Sequence, residues 1–197
     1  MIEWINVAVM ILSSFLFLYF YAKSAGPAAL ALKIGDRAYK QCGWYRTISG
    51  VFEMVVVVNY VLYFFYPLPL PLPENFPWDW WLSILISIVI AIPSLFIMIK
   101  GVKDAGRETM IPNKEQELYG GIYTRIRHPQ AVGEVALWWV IAFFLHSPFL
   151  VLYSFIFLPI FYLMCIAEEK DLIIRHGKAY ENYMKEVPRF IPKLRKS

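Results

Sequence analysis

Polar residues that could do chemistry crowd into one short stretch in the second half of the chain. Between Tyr119 and Glu134 stand two adjacent glycines, two arginines and the pair His128–Pro129. Paired glycines permit a turn with positive φ and close approach of a ligand, and a proline suits the first turn of a helix. The N–H groups and positive dipole end of such a helix accept a carboxylate. The stretch therefore predicts a binding site at a helix start, with a basic collar beside a membrane segment as the alternative.

A second polar stretch begins at Glu168 and Glu169, directly after an apolar run. Adjacent carboxylates repel each other there, so they are either a solvated helix end or a site in which one of them faces inward. An inward carboxylate would accept hydrogen bonds from ribose hydroxyls or an amine. Downstream, Tyr180 and Tyr183 share a helix face, and two prolines predict an extended strap at 187–192, with a tail on the membrane surface as the alternative.

The scaffold that positions these residues is predicted by hydropathy. The chain is 59% hydrophobic and 17% charged, whereas soluble domains hold roughly 45–50% and about 25%. A bilayer-spanning helix needs about 20 apolar residues, and apolar runs cover about 4–21, 47–66, 80–99, 130–145 and 149–167. Aromatic residues that favour the head-group level mark run ends at Tyr19, Tyr21, Trp78, Trp80 and Trp81. We predict an all-α integral membrane protein of about five transmembrane helices, three of them within 1–99, followed by a hairpin at 130–167.

The charge of the connections predicts the orientation, because Lys and Arg favour cytoplasmic loops. The connection between the first two runs carries five basic residues, and the connection before the fourth run carries six. The connection between the second and third runs has Glu74 and Asp79 but no basic residue. The N-terminus is therefore expected outside and the C-terminus in the cytoplasm, so that both polar stretches face the cytoplasm.

Two classes of function are not expected from this composition. The net charge is +4, but the basic residues do not form one stripe, which argues against nucleic acid as a partner. Cys42 and Cys165 are far apart and lack metal-ligand spacing, so no metal site is predicted. The lipid bilayer is the expected environment, and the sequence gives no oligomeric state.

Taken together, the motifs resemble the isoprenylcysteine carboxyl methyltransferase family, in particular its small prokaryotic and archaeal members. The pattern is Gly-Ile-Tyr, Arg-His-Pro-x-x-x-Gly, Glu-Glu, Tyr-x-x-Tyr and Pro-Arg-Phe-x-Pro, and it covers roughly 100–194. The resemblance implies that, within one unit at 1–197, residues 100–197 form the catalytic region. It also implies S-adenosylmethionine, leaving as S-adenosylhomocysteine, in a cytoplasmic pocket formed by the loop before helix 4 and the C-terminal tail. By position, the implied cofactor contacts are Glu115, Gln116, Glu117, Leu118, Tyr123, His128, Pro129, Gln130, Ala131 and Glu168.

The acceptor that the resemblance implies is the carboxylate of a lipophilic, isoprenylcysteine-like small molecule or prenylated protein. Such a carboxylate is ionised near neutral pH and needs no general base. The chain departs from the family pattern at Ala131, where a Tyr is usual, and at Met164, where eukaryotic members carry an Arg tied to the substrate carboxylate. Arg127 and Arg189 are the candidates left for positioning the acceptor.

Three alternatives stay open at this point. A phospholipid N-methyltransferase shares the motifs and the cofactor, but an amine acceptor requires a general base. An NADPH-dependent membrane sterol or enone reductase has a related hairpin, but would favour basic residues where Glu115 and Glu117 stand. A transporter would use Glu53 and Asn59 inside the second run, although no second, repeat-related broken helix accompanies them.

Overall fold

A computed structural model describes residues 1–106 and 120–192, and these residues are largely helical. The α-helices of the described part are α1 (Ile2–Ser24), α2 (Pro27–Ile34), α3 (Arg37–Phe65), α4 (Trp80–Ala105), α5 (Pro129–Phe144), α6 (Pro148–Tyr153), α7 (Phe157–His176) and α8 (Lys178–Glu186). Two 3-10 turns, Gly121–Thr124 and Ser154–Ile156, precede α5 and join α6 to α7. The all-α prediction is confirmed.

Four helical stretches are long and apolar enough to cross a membrane. They are α1, α3, α4 and the continuous stretch Pro148–His176 that contains α6 and α7. The apolar α5 has 16 residues, which is about 24 Å at about 1.5 Å per residue, and it packs along α4 as the shorter fifth helix. The protein is therefore a multi-pass membrane protein, and its orientation in the bilayer stays a prediction.

Close contact between α4 and α5 depends on glycine. A Cβ atom on Gly133 would lie 2.5 Å from the carbonyl oxygen of Ser94 and 2.7 Å from Cβ of Met98. Small residues allow helix backbones to approach in this way inside a membrane. The contact fixes the start of α5, and so the His128–Pro129 pair, beside the end of α4.

An aromatic core joins the two halves of the chain. The ring of Trp138 in α5 stacks on Phe157 in α7 with 3.8 Å between centroids, and Tyr60 in α3 contacts Trp138 at 5.2 Å. The Tyr60 hydroxyl lies 3.2 Å from Oγ of Ser154 in the 3-10 turn. This packing holds α3, α5 and α7 together, so that side chains at their ends can meet.

The basic connection after α1 is helical rather than an open loop. The N–H groups of Ala28 and Ala29, in the first turn of α2, donate to Oδ1 of Asp171 in α7 at 2.8 and 3.3 Å. Arg175 donates to the other oxygen of the same carboxylate at 2.6 Å. Because a helix start favours a negative partner, the buried Asp171 fixes α2 against α7.

Candidate functional site

The segment that leads into α5 is anchored to the end of α4 by one carboxylate. Asp104 accepts a hydrogen bond from the backbone N–H of Ile122 at 2.7 Å, and Lys100 donates to its other oxygen at 2.9 Å. Gly121 has φ of +62°, and a Cβ atom at this position would collide with the Asp104 carboxylate. Glycine is therefore needed here, which gives the paired glycines of the sequence a structural role.

The C-terminal tail pairs with the start of α5 through the backbone. The N–H of Arg127 donates to the carbonyl of Pro188 at 3.0 Å, and the N–H of His128 donates to the carbonyl of Arg189 at 3.2 Å. The Arg127 guanidinium also donates to the Val187 carbonyl at 2.6 Å. The strap at 187–192 thus lies against the His-Pro segment, and the two polar stretches are in direct contact.

Two tyrosines strengthen the same junction. The Gln130 amide donates to the Tyr123 hydroxyl at 2.9 Å, and the Tyr183 hydroxyl of α8 donates to the Tyr123 carbonyl at 2.7 Å. Burial raises the pKa of Tyr123, and burial likewise raises the pKa of Tyr183 to about 12. Both phenols keep their protons at neutral pH, so neither of them acts as a base.

Glu169 is the centre of the charged network. Its side chain is 5% exposed, and Oε1 lies 3.0 Å from Nε2 of His128, from Nε of Arg127 and from Nε of Arg189. Nη2 of Arg189 approaches Oε2 at 2.6 Å. Arg127 and Arg189 therefore both bind one carboxylate of the protein itself. Their predicted role in positioning an acceptor carboxylate stays a prediction.

His128 joins the two neighbouring glutamates. Its Nε2 contacts Glu169, and its Nδ1 lies 3.3 Å from Oε2 of Glu168. Burial by itself would lower the pKa of His128, but hydrogen bonds with Cys165, Glu168 and Glu169 raise it well above the ordinary value. A protonated imidazole between the two carboxylates offsets their mutual repulsion, which explains how adjacent acids can both lie at this junction.

This raised pKa predicts that stability falls on the alkaline side. A histidine whose pKa is higher in the folded state stabilises fully below its unfolded value near 6.5, and the effect is lost as pH rises through the folded value. We expect the Tm of the wild-type protein in detergent to fall as the pH rises above the unfolded value near 6.5, with a flatter profile in His128→Gln. Thermal unfolding followed by tryptophan fluorescence measures both profiles, and parallel profiles would contradict the assignment to His128.

The N-terminal half contributes to the site through Glu168. The Tyr21 hydroxyl at the end of α1 donates to Oε1 of Glu168 at 2.6 Å, and Arg46 of α3 lies 4.0 Å from the same oxygen. The Arg46 guanidinium also lies over the Tyr21 ring at 5.3 Å. Sequence interpretation assigned Tyr21 to the membrane interface and Arg46 to a basic loop. The sequence feature that could have indicated their role is their position. Tyr21 ends the first apolar run and Arg46 precedes the second, so both lie on the same side of the membrane as the polar stretches.

Two further carboxyl groups lie inside the helix bundle next to Glu168. Glu53 of α3 and Glu134 of α5 lie close to each other, and Glu134 is close enough to Glu168 for their charges to interact. Two neighbouring carboxyl groups favour sharing one proton, because two adjacent negative charges repel each other. Glu53, which suggested a transporter when taken alone, is thus one half of a pair that borders the site.

The described cofactor candidates gather around the start of α5. His128 is the N-terminal cap of α5, residues 129–131 form its first turn, Tyr123 is bonded to Gln130, and Glu168 is bonded to His128. Pro129 is fully buried, and Ala131 packs against the aromatic core. The other candidates, Glu115, Gln116, Glu117 and Leu118, lie outside the described residues. The cofactor role of the whole set stays a prediction.

Comparison with known proteins gives two matches. The family model for phospholipid methyltransferases matches residues 81–179, which is half of the chain and runs from α4 into α8. A methanethiol S-methyltransferase of Crocosphaera subtropica (strain ATCC 51142 / BH68) is 37% identical over 74 residues, or 36% of this chain. The alignment spans 27% of the length of that relative. No solved structure matches the chain.

Proposed function

The chain belongs to the phospholipid methyltransferase family, and from this premise we propose that it methylates a lipophilic amine with S-adenosylmethionine as the methyl donor. The observation that carries the proposal is the junction at Glu168 and Glu169. There the start of α5, the second half of α7, the tail and the helices α1 and α3 bring their polar side chains together. The reductase and transporter alternatives have no support from the family.

The chemistry of the junction fits the polar parts of S-adenosylmethionine. The first turn of α5 presents N–H groups that lack acceptors within the helix, and a helix N-terminus favours a carboxylate such as that of the methionine part. Glu168, whose side chain is 28% exposed, would accept hydrogen bonds from the ribose hydroxyls or the amine. Gln130 and Tyr123 add polar groups on the other side of the same turn.

In the proposed reaction, bound S-adenosylmethionine supplies an activated methyl group, which moves by in-line displacement as the sulfur keeps the bonding electron pair. The protein aligns the two reactants and excludes water, which accounts for several kcal/mol in well-oriented reactions. Tyr21, His128 and Arg46 fix the Glu168 carboxylate from different elements. Glu169 binds Arg189 and so holds the strap at 187–192 next to Glu168.

The charges beside the site favour an amine as the acceptor. Arg127 and Arg189 are both bonded to Glu169, while Glu53 and Glu134 border the site within the bundle. An acceptor carboxylate would be repelled by these acids, whereas an ammonium group would be attracted to them. The carboxyl pair can also accept the proton that an ammonium must lose before its nitrogen attacks the methyl carbon. A lipophilic carboxylate remains the second candidate, through the partly exposed Arg189.

Cofactor binding tests the first half of the proposal. S-adenosylhomocysteine at about a hundred times its Kd should stabilise the purified protein by about 2.7 kcal/mol, a Tm increase of roughly 5 °C or more for a chain of this size. NADPH should give no increase. Glu168→Gln should abolish the shift, and Glu181→Gln on the exposed side of α8 should keep it. If S-adenosylhomocysteine leaves the wild-type Tm unchanged, the proposed cofactor is wrong.

A labelled-methyl assay tests the acceptor. We expect transfer to a long-chain amine or an amino phospholipid, and little transfer to a prenylcysteine analogue or to a small thiol such as methanethiol. Transfer to the prenylcysteine carboxylate alone would establish the second candidate, and transfer to the thiol alone would exclude both.

A further inference from the structure

A separate cavity lies at the opposite end of the bundle from the junction at Glu168 and Glu169. It has a volume of about 430 Å³ and is lined by the end of α3, the connection into α4 and the turn after α5, with His146 at its wall. The length of α5 separates this turn from His128. A volume in this range is enough for a small ligand or a lipid head group.

His146 is held in an unusual backbone conformation at this wall. It has φ of +55° and is the one non-glycine residue with positive φ among those that the structure describes. Its side chain is buried, stacks on Trp80 with 5.7 Å between centroids, and meets Phe76 edge-on at the same distance. Such strained positions persist where the surroundings hold them, and they concentrate at ligand-binding sites.

The hydrogen bonds of His146 show which ring nitrogen carries a proton. The Trp78 indole, which can only donate, donates to Oγ of Ser83 at 3.0 Å. Oγ of Ser83 lies 2.7 Å from Nδ1 of His146. Within the described residues, Nδ1 is the acceptor available to the buried Ser83 hydroxyl. Nδ1 therefore accepts, and Nε2 carries the proton.

Nε2 of His146 has no protein partner in the described part of the chain, and it is not sealed off from solvent. His146 is about 95% buried and lines the cavity, so we infer that this N–H is available as a hydrogen-bond donor to a ligand there. Such a donor suits an oxygen of an anionic group, for example a phosphate ester.

The rest of the cavity suits a cation. Its described lining includes the carboxylates of Glu74 and Asp79 and the rings of Trp78 and Trp80, but no Lys or Arg. Aromatic faces and carboxylates together bind alkylammonium groups, since ring quadrupoles attract cations. The cavity thus combines one donor for an anion with several groups for a cation, as a zwitterion would require.

We propose that this cavity binds the phosphate ester of an amino alcohol, such as phosphoethanolamine or phosphocholine, carried by a membrane lipid or free in solution. The phosphate would accept a hydrogen bond from Nε2 of His146, and the ammonium group would lie among Trp78, Trp80, Glu74 and Asp79. The exposed rings of Tyr66 and Trp81 flank the same end of the bundle, which is typical of the lipid head-group level. The proposal does not depend on the methyl-transfer function.

Binding to the full chain in detergent tests the proposal. The probes are dioctanoyl phosphatidylcholine, dioctanoyl phosphatidylglycerol and phosphocholine, titrated calorimetrically and by tryptophan fluorescence. We expect saturable binding of phosphatidylcholine at least roughly tenfold tighter than of phosphatidylglycerol, which lacks the ammonium group. Equal affinity for the two lipids, or no saturation, would overturn the proposal. Binding of phosphocholine as well supports it with a free ester as ligand, and binding of the lipid alone supports it with the membrane as source.

Variants test which groups provide the selectivity. Glu74→Gln together with Asp79→Asn should reduce phosphatidylcholine affinity by roughly tenfold. Asparagine keeps the helix-start preference of Asp79. His146→Asn, which tolerates positive φ, should weaken both lipids because it removes the donor to the phosphate. Glu3→Gln is the control, a carboxylate at the same end of the bundle but outside the cavity lining. Wild-type affinity in the double variant would overturn the proposal.

Discussion

Replacing Glu169 with glutamine is expected to lower the free energy of unfolding by about 3–5 kcal/mol, the range for breaking a buried ion pair on one side. The variant leaves Arg127, Arg189 and His128, which all contact Oε1 of Glu169, to share one uncharged amide oxygen. An amide offers one oxygen where the carboxylate offers two, and it carries no charge to balance two guanidinium groups. A guanidinium group keeps its proton in proteins, so neither arginine can escape the penalty by losing its charge.

The effect is measured by thermal or denaturant unfolding of the purified variant in detergent. Glu181→Gln is the matched control, since Glu181 forms an exposed pair with Lys178 on α8, and exposed pairs contribute about 0–1 kcal/mol. Limited proteolysis gives a second measurement, because the strap at 187–192 should be cut faster once Arg189 loses its partner. Equal stability and equal proteolysis in the two variants would show that Glu169 does not hold the tail.

Hydropathy predicted the helical membrane fold because a spanning helix requires only that one continuous segment be apolar. A run of about 20 apolar residues has few alternatives to a spanning helix, so the long helices lie close to where the apolar runs predicted them. The boundaries differ where polar residues extend a helix past its apolar run. Helix α3 begins at Arg37, ten residues before the run at 47–66, and the polar first turns therefore bring Arg46 to the site as part of a rigid element.

The convergence of the two polar stretches was also predictable, since one helical hairpin joins them. The sequence did not predict which residues bind each other within the site. Glu168 was singled out as a ligand and Glu169 only as its neighbour, yet Glu169 takes both arginines. Which member of an adjacent pair faces inward depends on the rotation of α7 against α5. Tyr21 and Asp171 likewise have partners 147 and 143 residues away, a separation at which sequence spacing carries no information about contact.

Replacing Glu134 with glutamine is expected to reduce kcat/KM for an amine acceptor by about 10²- to 10⁴-fold, the usual contribution of a positioned acid or base. The reason is that the neighbouring carboxyl groups of Glu53 and Glu134 are the proposed acceptor of the ammonium proton. Binding of S-adenosylhomocysteine should stay close to wild type, because Tyr21, Arg46 and His128 still hold Glu168. Labelled-methyl kinetics and the cofactor-induced Tm shift separate these two expectations.

Glu53→Gln distinguishes a shared role of the pair from a role of one residue. If the two carboxyl groups hold one proton between them, each single variant should lose most of the amine activity, and the double variant should lose little more. Coupling of this kind is expected only for groups in contact. Ser49→Ala is a suitable control, since Ser49 lies one turn away on α3 and its hydroxyl donates to the Phe17 carbonyl rather than to a carboxyl group. Wild-type amine methylation by both Glu134→Gln and Glu53→Gln would show that the pair does not take the ammonium proton.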